Sequence, residues 1–362
     1  MDDLSKRRAL ISQIDEEMAR LFEKRMETSA AIAAYKKEHG LSVKDKKREE
    51  LLLSKNREYI RNPDHEDYYV NFMRSVIDIS CRYQEKLLQG MNVSYCGVEG
   101  AFAYIAAKSM FPEAKLVCKS DFNQAYKSVE SGECDAVVLP LENSYAGEVG
   151  TVMDLAFSGS LYANQVYELP VEHYLLGIPG ASRRQIKRVI SHPQALMQCS
   201  EYILEHGFEA KEYVNTALAA KSVKESADPS VAAIASKETA ELMGLEILDE
   251  HIQDSGVNTT RFAVFSRSAF SHSVQGGDSF ILVYTVKNVA GALAQTLNII
   301  GAHGYNMKSV RSRPLKGLLW NYYFFIEADG NINNQNGQDM LRELAVISDK
   351  LKVVGSYHTL TP

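Results

Sequence analysis

The chain has 362 residues, of which 45% are hydrophobic and 24% charged, with a formal net charge of −6. That length accommodates two or three cores, and an acidic balance without a basic domain excludes nucleic acid as the main partner. No apolar run approaches the ~18 residues of a membrane span, and the opening MDDLSKRRAL lacks the apolar stretch of a secretory signal, so a cytoplasmic protein is expected.

Residues 1–90 read as helical. An amphipathic pattern through Ile11, Ile14, Met18, Leu21, Phe22 and Ile32 predicts one helix from about Leu4 to the stop at Gly40. A second helix is expected after Asp45, ending near Asn62-Pro63, and a third from about Glu66 to Gln89. One very long helix and two shorter ones cannot enclose a core alone, so helices from a second copy of the chain are expected to complete it, in a homodimer or homotetramer.

At Met91 the texture changes to strands alternating with helices, as in MNVSYCG, a helix from Phe102, and CDAVVLPLENS, and this continues to RFAVFSR. It predicts a two-lobed α/β domain over residues 91–268. Ser268–Gly277 reads as a linker. Residues 278–362 follow the order βαββαβ, which predicts an α+β, ferredoxin-like unit. The five cysteines form no CxxC pair, and their odd number favours reduced thiols; the nine histidines show no ligand spacing. Neither a metal nor another cofactor is expected.

Polar residues interrupt these patterns in two places. On the first helix, Lys36 follows Arg25 by eleven residues, so the two point within roughly 20° of each other and sit ~16 Å apart along the axis. They can bracket a small dianion. Arg8 lies ~25 Å from Arg25 and about 100° around the helix, so it can serve only the pocket of a second copy. Asp45, Arg48 and Glu49 open the second helix, and Ser80 and Gln84 share one face of the third.

These eight residues, at these spacings, resemble the helical class of chorismate mutase, over about 85 residues. The resemblance implies an all-α, intertwined three-helix domain in which the arginines hold the two carboxylates of chorismate, Glu49 the ring hydroxyl, and Lys36 and Gln84 the ether oxygen. Such a rearrangement needs no nucleophile. It needs a compressed substrate and fixed donors for the charge growing on the breaking C–O bond.

The second set sits at strand ends of the middle segment: GVEGAF (97–102), PLENSYAGEVG (140–150), SHPQALMQC (191–199), NTALAA (215–220) and NTTRF (258–262). Arg261, at the edge of the apolar run Phe262–Phe265, costs stability unless an anion meets it. Several of these motifs cap helices whose free N–H groups suit a carboxylate, and together they point to ligand capture between the lobes. In this order they resemble prephenate dehydratase over roughly 175 residues, with departures at Val98, Ala101, Leu141 and Asn215. The resemblance implies a periplasmic-binding-protein-like fold and makes Thr260 the catalytic group that assists loss of the ring hydroxyl as CO2 departs. Asn143, Ser191, Gln198, Thr216 and Arg261 fall on substrate-binding positions. A salt bridge across the cleft is the other role open to Arg261.

GALAQTLNIIGAHGYNMKSVRSRP resembles the ACT regulatory domain of these enzymes. This implies a phenylalanine site at Gly291, Ala292 and Leu293 together with Asn306, Ser312, Arg313 and Pro314. Arg311 departs by standing where the family has an acid. Two other readings fit the same segments: a prephenate or arogenate dehydratase whose helices only dimerise, and a non-catalytic small-molecule sensor.

Overall fold

The computed structural model describes residues 3–269, 277–315 and 321–361. The chain separates into two compact units, Met1–Met91 and Asn92–Pro362.

The first unit holds three helices, α1 (Asp3–Glu38), α2 (Lys46–Arg57) and α3 (Pro63–Gln89). Asp45 caps α2 by accepting from the Arg48 N–H at 3.1 Å. Asn62 caps α3 in the same way, with Pro63 as the first helical residue. The third helix therefore starts three residues before the expected Glu66, because a proline lacks only an N–H that would be unbonded at that position. Helix α1 buries only Ser29 and Ala33, while Ile11, Ile14, Met18, Leu21 and Phe22 remain 40–68% exposed. An apolar face so bare is not at rest in water.

The second unit begins with β1 (Asn92–Cys96), α4 (Phe102–Met110), β2 (Lys115–Lys119), α5 (Phe122–Glu130), β3 (Ala136–Asn143), β4 (Gly147–Glu148), α6 (Gly150–Ser158) and β5 (Tyr162–Pro170). The chain then crosses to a second lobe. This holds β6 (Tyr174–Gly177), β7 (Arg188–Ser191), α7 (Pro193–Gln198), α8 (Ser200–His206), β8 (Glu209–Glu212), α9 (Thr216–Ser226), β9 (Val231–Ala235), α10 (Lys237–Met243) and β10 (Glu246–Asp249). It returns to the first lobe as β11 (Thr259–Ser266). The second lobe is a five-stranded sheet in the order β10-β6-β9-β7-β8. The two crossings are bonded to each other, the Val171 N–H to the Asn258 carbonyl at 2.8 Å and the Ile252 N–H to the His173 carbonyl at 2.9 Å.

The remaining elements are β12 (Ser279–Thr285), α11 (Ala292–Ala302), β13 (Met307–Pro314), β14 (Tyr322–Asp329), α12 (Gln335–Ile347) and β15 (Lys350–Leu360). All but the ends of the expected linker Ser268–Gly277 lies outside the described residues. The C-terminal strands do not form a separate sheet. β15 pairs in parallel with β5, His358 opposite Gln165 and Leu360 opposite Tyr167, which gives one ten-stranded sheet in the order β13-β14-β12-β15-β5-β11-β3-β1-β2 with β4 beside β3. Ile281, Val283, Phe325 and Tyr357 pack in one core with Leu139, Val152 and Phe265. The middle and C-terminal segments thus share both a sheet and a hydrophobic interior.

Candidate functional site

Among the described residues, one cavity in each unit gathers polar residues singled out from the sequence. In the helical unit a space of about 1140 Å³ is lined from all three helices. Arg25 and Lys36 of α1 enter it together, with Asp45, Arg48 and Glu49 from the start of α2 and Ser80 and Gln84 from α3. Arg25 donates to the Ser80 hydroxyl, which itself donates to the Val76 carbonyl at 2.9 Å. Lys36 Nζ donates to the Val43 carbonyl at 2.6 Å, which draws the loop after α1 over the cavity. The Gln84 side chain is only 6% exposed, and its Oε1 has no protein partner among the described residues. A buried amide in that state calls for a ligand. Seven lysine and arginine side chains line the cavity against two carboxylates, in a chain whose net charge is −6. The space is built for an anion. Of the eight residues named from the sequence, Arg8 alone is not brought here; it lies exposed near the start of α1.

In the second unit a cavity of about 330 Å³ lies between the lobes. Asn143, at the end of β3, stands opposite Thr260, at the start of β11. Its amide donates to Thr260 Oγ1 at 2.9 Å and to Asn258 Oδ1 at 2.8 Å, and its Oδ1 accepts from the N–H groups of Tyr145 and Ala146 at 3.0 and 2.9 Å. With its oxygen already accepting, the Thr260 hydroxyl keeps its proton for a ligand. From the second lobe come His192, Gln194, Gln198, Asn215 and Thr216. His192 caps α7 through Nδ1, accepting from the Gln194 N–H at 3.2 Å. Asn215 caps α9, accepting from the Leu218 N–H at 2.7 Å.

Two residues expected at this site are placed elsewhere. Ser191 is fully buried and its hydroxyl donates to the Ile234 carbonyl of the adjoining β9 at 2.6 Å; it does not line the cavity. Arg261 follows Thr260 and so faces the other side of the strand. There its Nη1 lies 2.9 Å from Glu327 Oε2 of β14 and 3.4 Å from Glu142 Oε1, with Tyr357 Oη 3.4 Å from Nη2. Glu327 is only 2% exposed. Burial pushes its carboxyl upward, and the bonds from Arg261 outweigh this and hold it below the ordinary carboxylate range. The anion that Arg261 requires is therefore Glu327, and the residue is a bridge to the C-terminal strands rather than a clamp on substrate.

Near the C-terminus, Gly291 caps α11 with a left-handed backbone (φ 83°) that suits glycine, and Ala292 and Leu293 follow as its first turn. Asn306 donates to Asp329 Oδ2 at 3.2 Å. Ser312, Arg313 and Pro314 lie on β13, where Arg313 Nε meets Asp154 of α6 at 2.9 Å. The departing residue Arg311 meets Glu148 at 3.1 Å, and Glu148 lines the cavity between the lobes.

His173 was missed by the sequence reading. It lines the same cavity, and its ring Nε2 lies 2.8 Å from Gln198 Oε1. A lone histidine at a strand start, in VEHYLL, carries no spacing signal that would have found it.

Comparison with known proteins accounts for both cavities. Residues 7–85 match the family model of chorismate mutase type II, and residues 93–269 that of prephenate dehydratase. A bifunctional chorismate mutase/prephenate dehydratase of Neisseria gonorrhoeae is 33% identical over 97% of this chain and 96% of its own. One from Enterobacter agglomerans is 30% identical over 96% and 94%. The crystal structure of a prephenate dehydratase from Arthrobacter aurescens in complex with L-Phe matches with a TM-score of 0.68, at 29% identity, over 74% of this chain and 89% of that one. A mutase match across the three helices leaves no place for a segment that only dimerises. The chain belongs to the bifunctional chorismate mutase/prephenate dehydratase family and carries both activities.

Proposed function

We propose that the helical unit rearranges chorismate to prephenate with the side chains of its cationic cavity, and that the cavity between the lobes takes prephenate to phenylpyruvate, releasing CO2 and water. In the first, Arg25 and Arg48 hold the carboxylates, Glu49 the ring hydroxyl, and Lys36 and Gln84 the ether oxygen as its bond to carbon breaks. In the second, the Thr260 hydroxyl, its oxygen held by Asn143, donates to the departing ring hydroxyl and passes on a proton that solvent water restores. The ring hydroxyl leaves as water while the electrons of the breaking C–CO2 bond aromatise the ring. Gln198 and Thr216 bind the rest of the substrate. The observation that carries this assignment is the pairing of Asn143 with Thr260 in one cavity and of Arg25, Lys36 and Gln84 in the other.

A second copy of the chain completes the mutase cavity with its Arg8. The uncovered apolar residues of α1 support this. The C-terminal elements act as an ACT domain that binds phenylalanine and slows the dehydratase, in a cytoplasmic enzyme whose five cysteines are free. The strand order β13-β14-β12-β15 supports that reading, as do the L-Phe bound to the Arthrobacter enzyme and the ion pair from Arg311 to Glu148.

The test is purified full-length protein given chorismate, with prephenate and phenylpyruvate both followed. Lys36→Met is expected to lower mutase kcat about a hundredfold or more and leave turnover of added prephenate intact. Thr260→Val is expected to do the reverse, by about two to four orders of magnitude, so that prephenate accumulates. Absence of phenylpyruvate from folded wild-type protein would overturn the assignment.

A further inference from the structure

His173 and Gln198 form a buried pair in which one nitrogen of each side chain is unsatisfied. The two residues are 1% and 6% exposed, both line the cavity between the lobes, and His173 Nδ1 and Gln198 Nε2 have no protein partner among the described residues. The ring is wedged edge-on against Phe102, centroids 6.0 Å apart. Both main chains are pinned by one segment: the Ile252 N–H donates to the His173 carbonyl at 2.9 Å and the Asp254 N–H to the Gln198 carbonyl at 2.7 Å. Burial lowers the imidazole pKa against the opposing bond to Gln198, so the ring is neutral and carries one N–H.

That single proton decides which way the amide faces. With the proton on Nε2, the ring donates to Gln198 Oε1 and leaves a bare Nδ1 lone pair inside. With the amide reversed, the proton moves to Nδ1 and becomes a buried donor without an acceptor, the rarer and costlier of the two defects. The first arrangement therefore prevails, and it leaves the Gln198 NH2 as the free donor of the pair, on a residue that lines the cavity.

We propose that His173 is a positioning residue of the dehydratase: its Nε2–H holds the Gln198 carboxamide so that the NH2 presents a fixed donor to an anionic oxygen of prephenate. This rests on the reading that prephenate occupies this cavity. His173 itself touches no reacting atom.

The experiment is a double-mutant cycle on the full chain with prephenate as substrate. His173→Phe keeps the ring against Phe102 and removes the donor. It is expected to raise KM about tenfold, as for one hydrogen bond to a charged group, with kcat changed much less and the mutase rate unchanged. His173→Gln, which returns an amide N–H near the position of Nε2, is expected to recover most of the loss. In a Gln198→Ala background, His173→Phe is expected to change KM by less than about twofold. If His173→Phe does not fold, His173→Asn, too short to reach Gln198, takes its place with the same expectations. Additive losses in the two backgrounds, or a His173→Gln as impaired as the phenylalanine variant, would overturn the role of His173 alone. An unchanged KM in Gln198→Ala would show that Gln198 does not hold prephenate and would overturn this inference, whereas a Thr260→Val protein of unchanged dehydratase rate would remove the substrate assignment of the cavity itself.

Discussion

Thr260 and Arg261 are neighbours in the chain and face opposite sides of one strand, so a single dipeptide serves two purposes. Thr260 meets Asn143 in the cavity, and Arg261 is buried against Glu327. Removing one partner of a buried pair leaves the other charge uncompensated, so Arg261→Met is expected to destabilise the second unit by about 3–5 kcal/mol, read as a lower urea midpoint. Because Arg261 holds Glu327 below its ordinary value of 4.5, the unfolded chain binds more protons than the folded one as pH drops through that region. The stability this pair contributes is full above pH 4.5 and lost as pH falls through the depressed value in the folded protein. Urea midpoints of Glu327→Gln should accordingly fall less steeply with acidification than those of the wild type. The need of Arg261 for an anion was legible from its place beside an apolar strand; the identity of Glu327, sixty-six residues away, was not, because it depends on which strands adjoin. Ser191 teaches the same. Its motif marks a strand end, but only the pairing of β7 with β9 sets the Ile234 carbonyl in front of its hydroxyl.

At the scale of elements, α1 was the most legible part of the chain. A period of 3.6 residues and an eleven-residue spacing were enough to put Arg25 and Lys36 on one face, and both line one cavity. Geometry along the same helix separates Arg8 from them. If two copies exchange that arginine, Arg8→Ala and Arg25→Ala proteins are each inactive as mutases, yet mixed oligomers contain one site with both native residues. Unfolding and refolding an equal mixture is expected to restore about a quarter of wild-type mutase activity, the share of intact sites in a random pairing of dimers. A mixture as inactive as its components would show that Arg8 does not cross. The start of α3 was less legible, since Pro63 reads as a breaker from one side and as a first helical residue from the other.

At the scale of the molecule, the sequence suggested three domains in a row, and the described chain has two units because β15 joins β5. No local pattern announces a parallel pairing between segments nearly two hundred residues apart. The close approach is marked by Gly355, where a Cβ would strike the backbone carbonyl of Ala163. Gly355→Ala is expected to part the seam: a lower melting temperature for the second unit and, under the phenylalanine regulation proposed above, a dehydratase rate that no longer responds to that amino acid, with the mutase rate preserved. Retained response with native stability would show that the seam is dispensable.

That seam also governs how the protein can be cut. A protease severing the chain before β12 would strip β5 of its neighbour and leave a raw border of unbonded amides and carbonyls next to the strand that carries Thr260. Such a border recruits whatever strand comes near. Fragments of this enzyme should clump with one another rather than persist as a free-standing dehydratase.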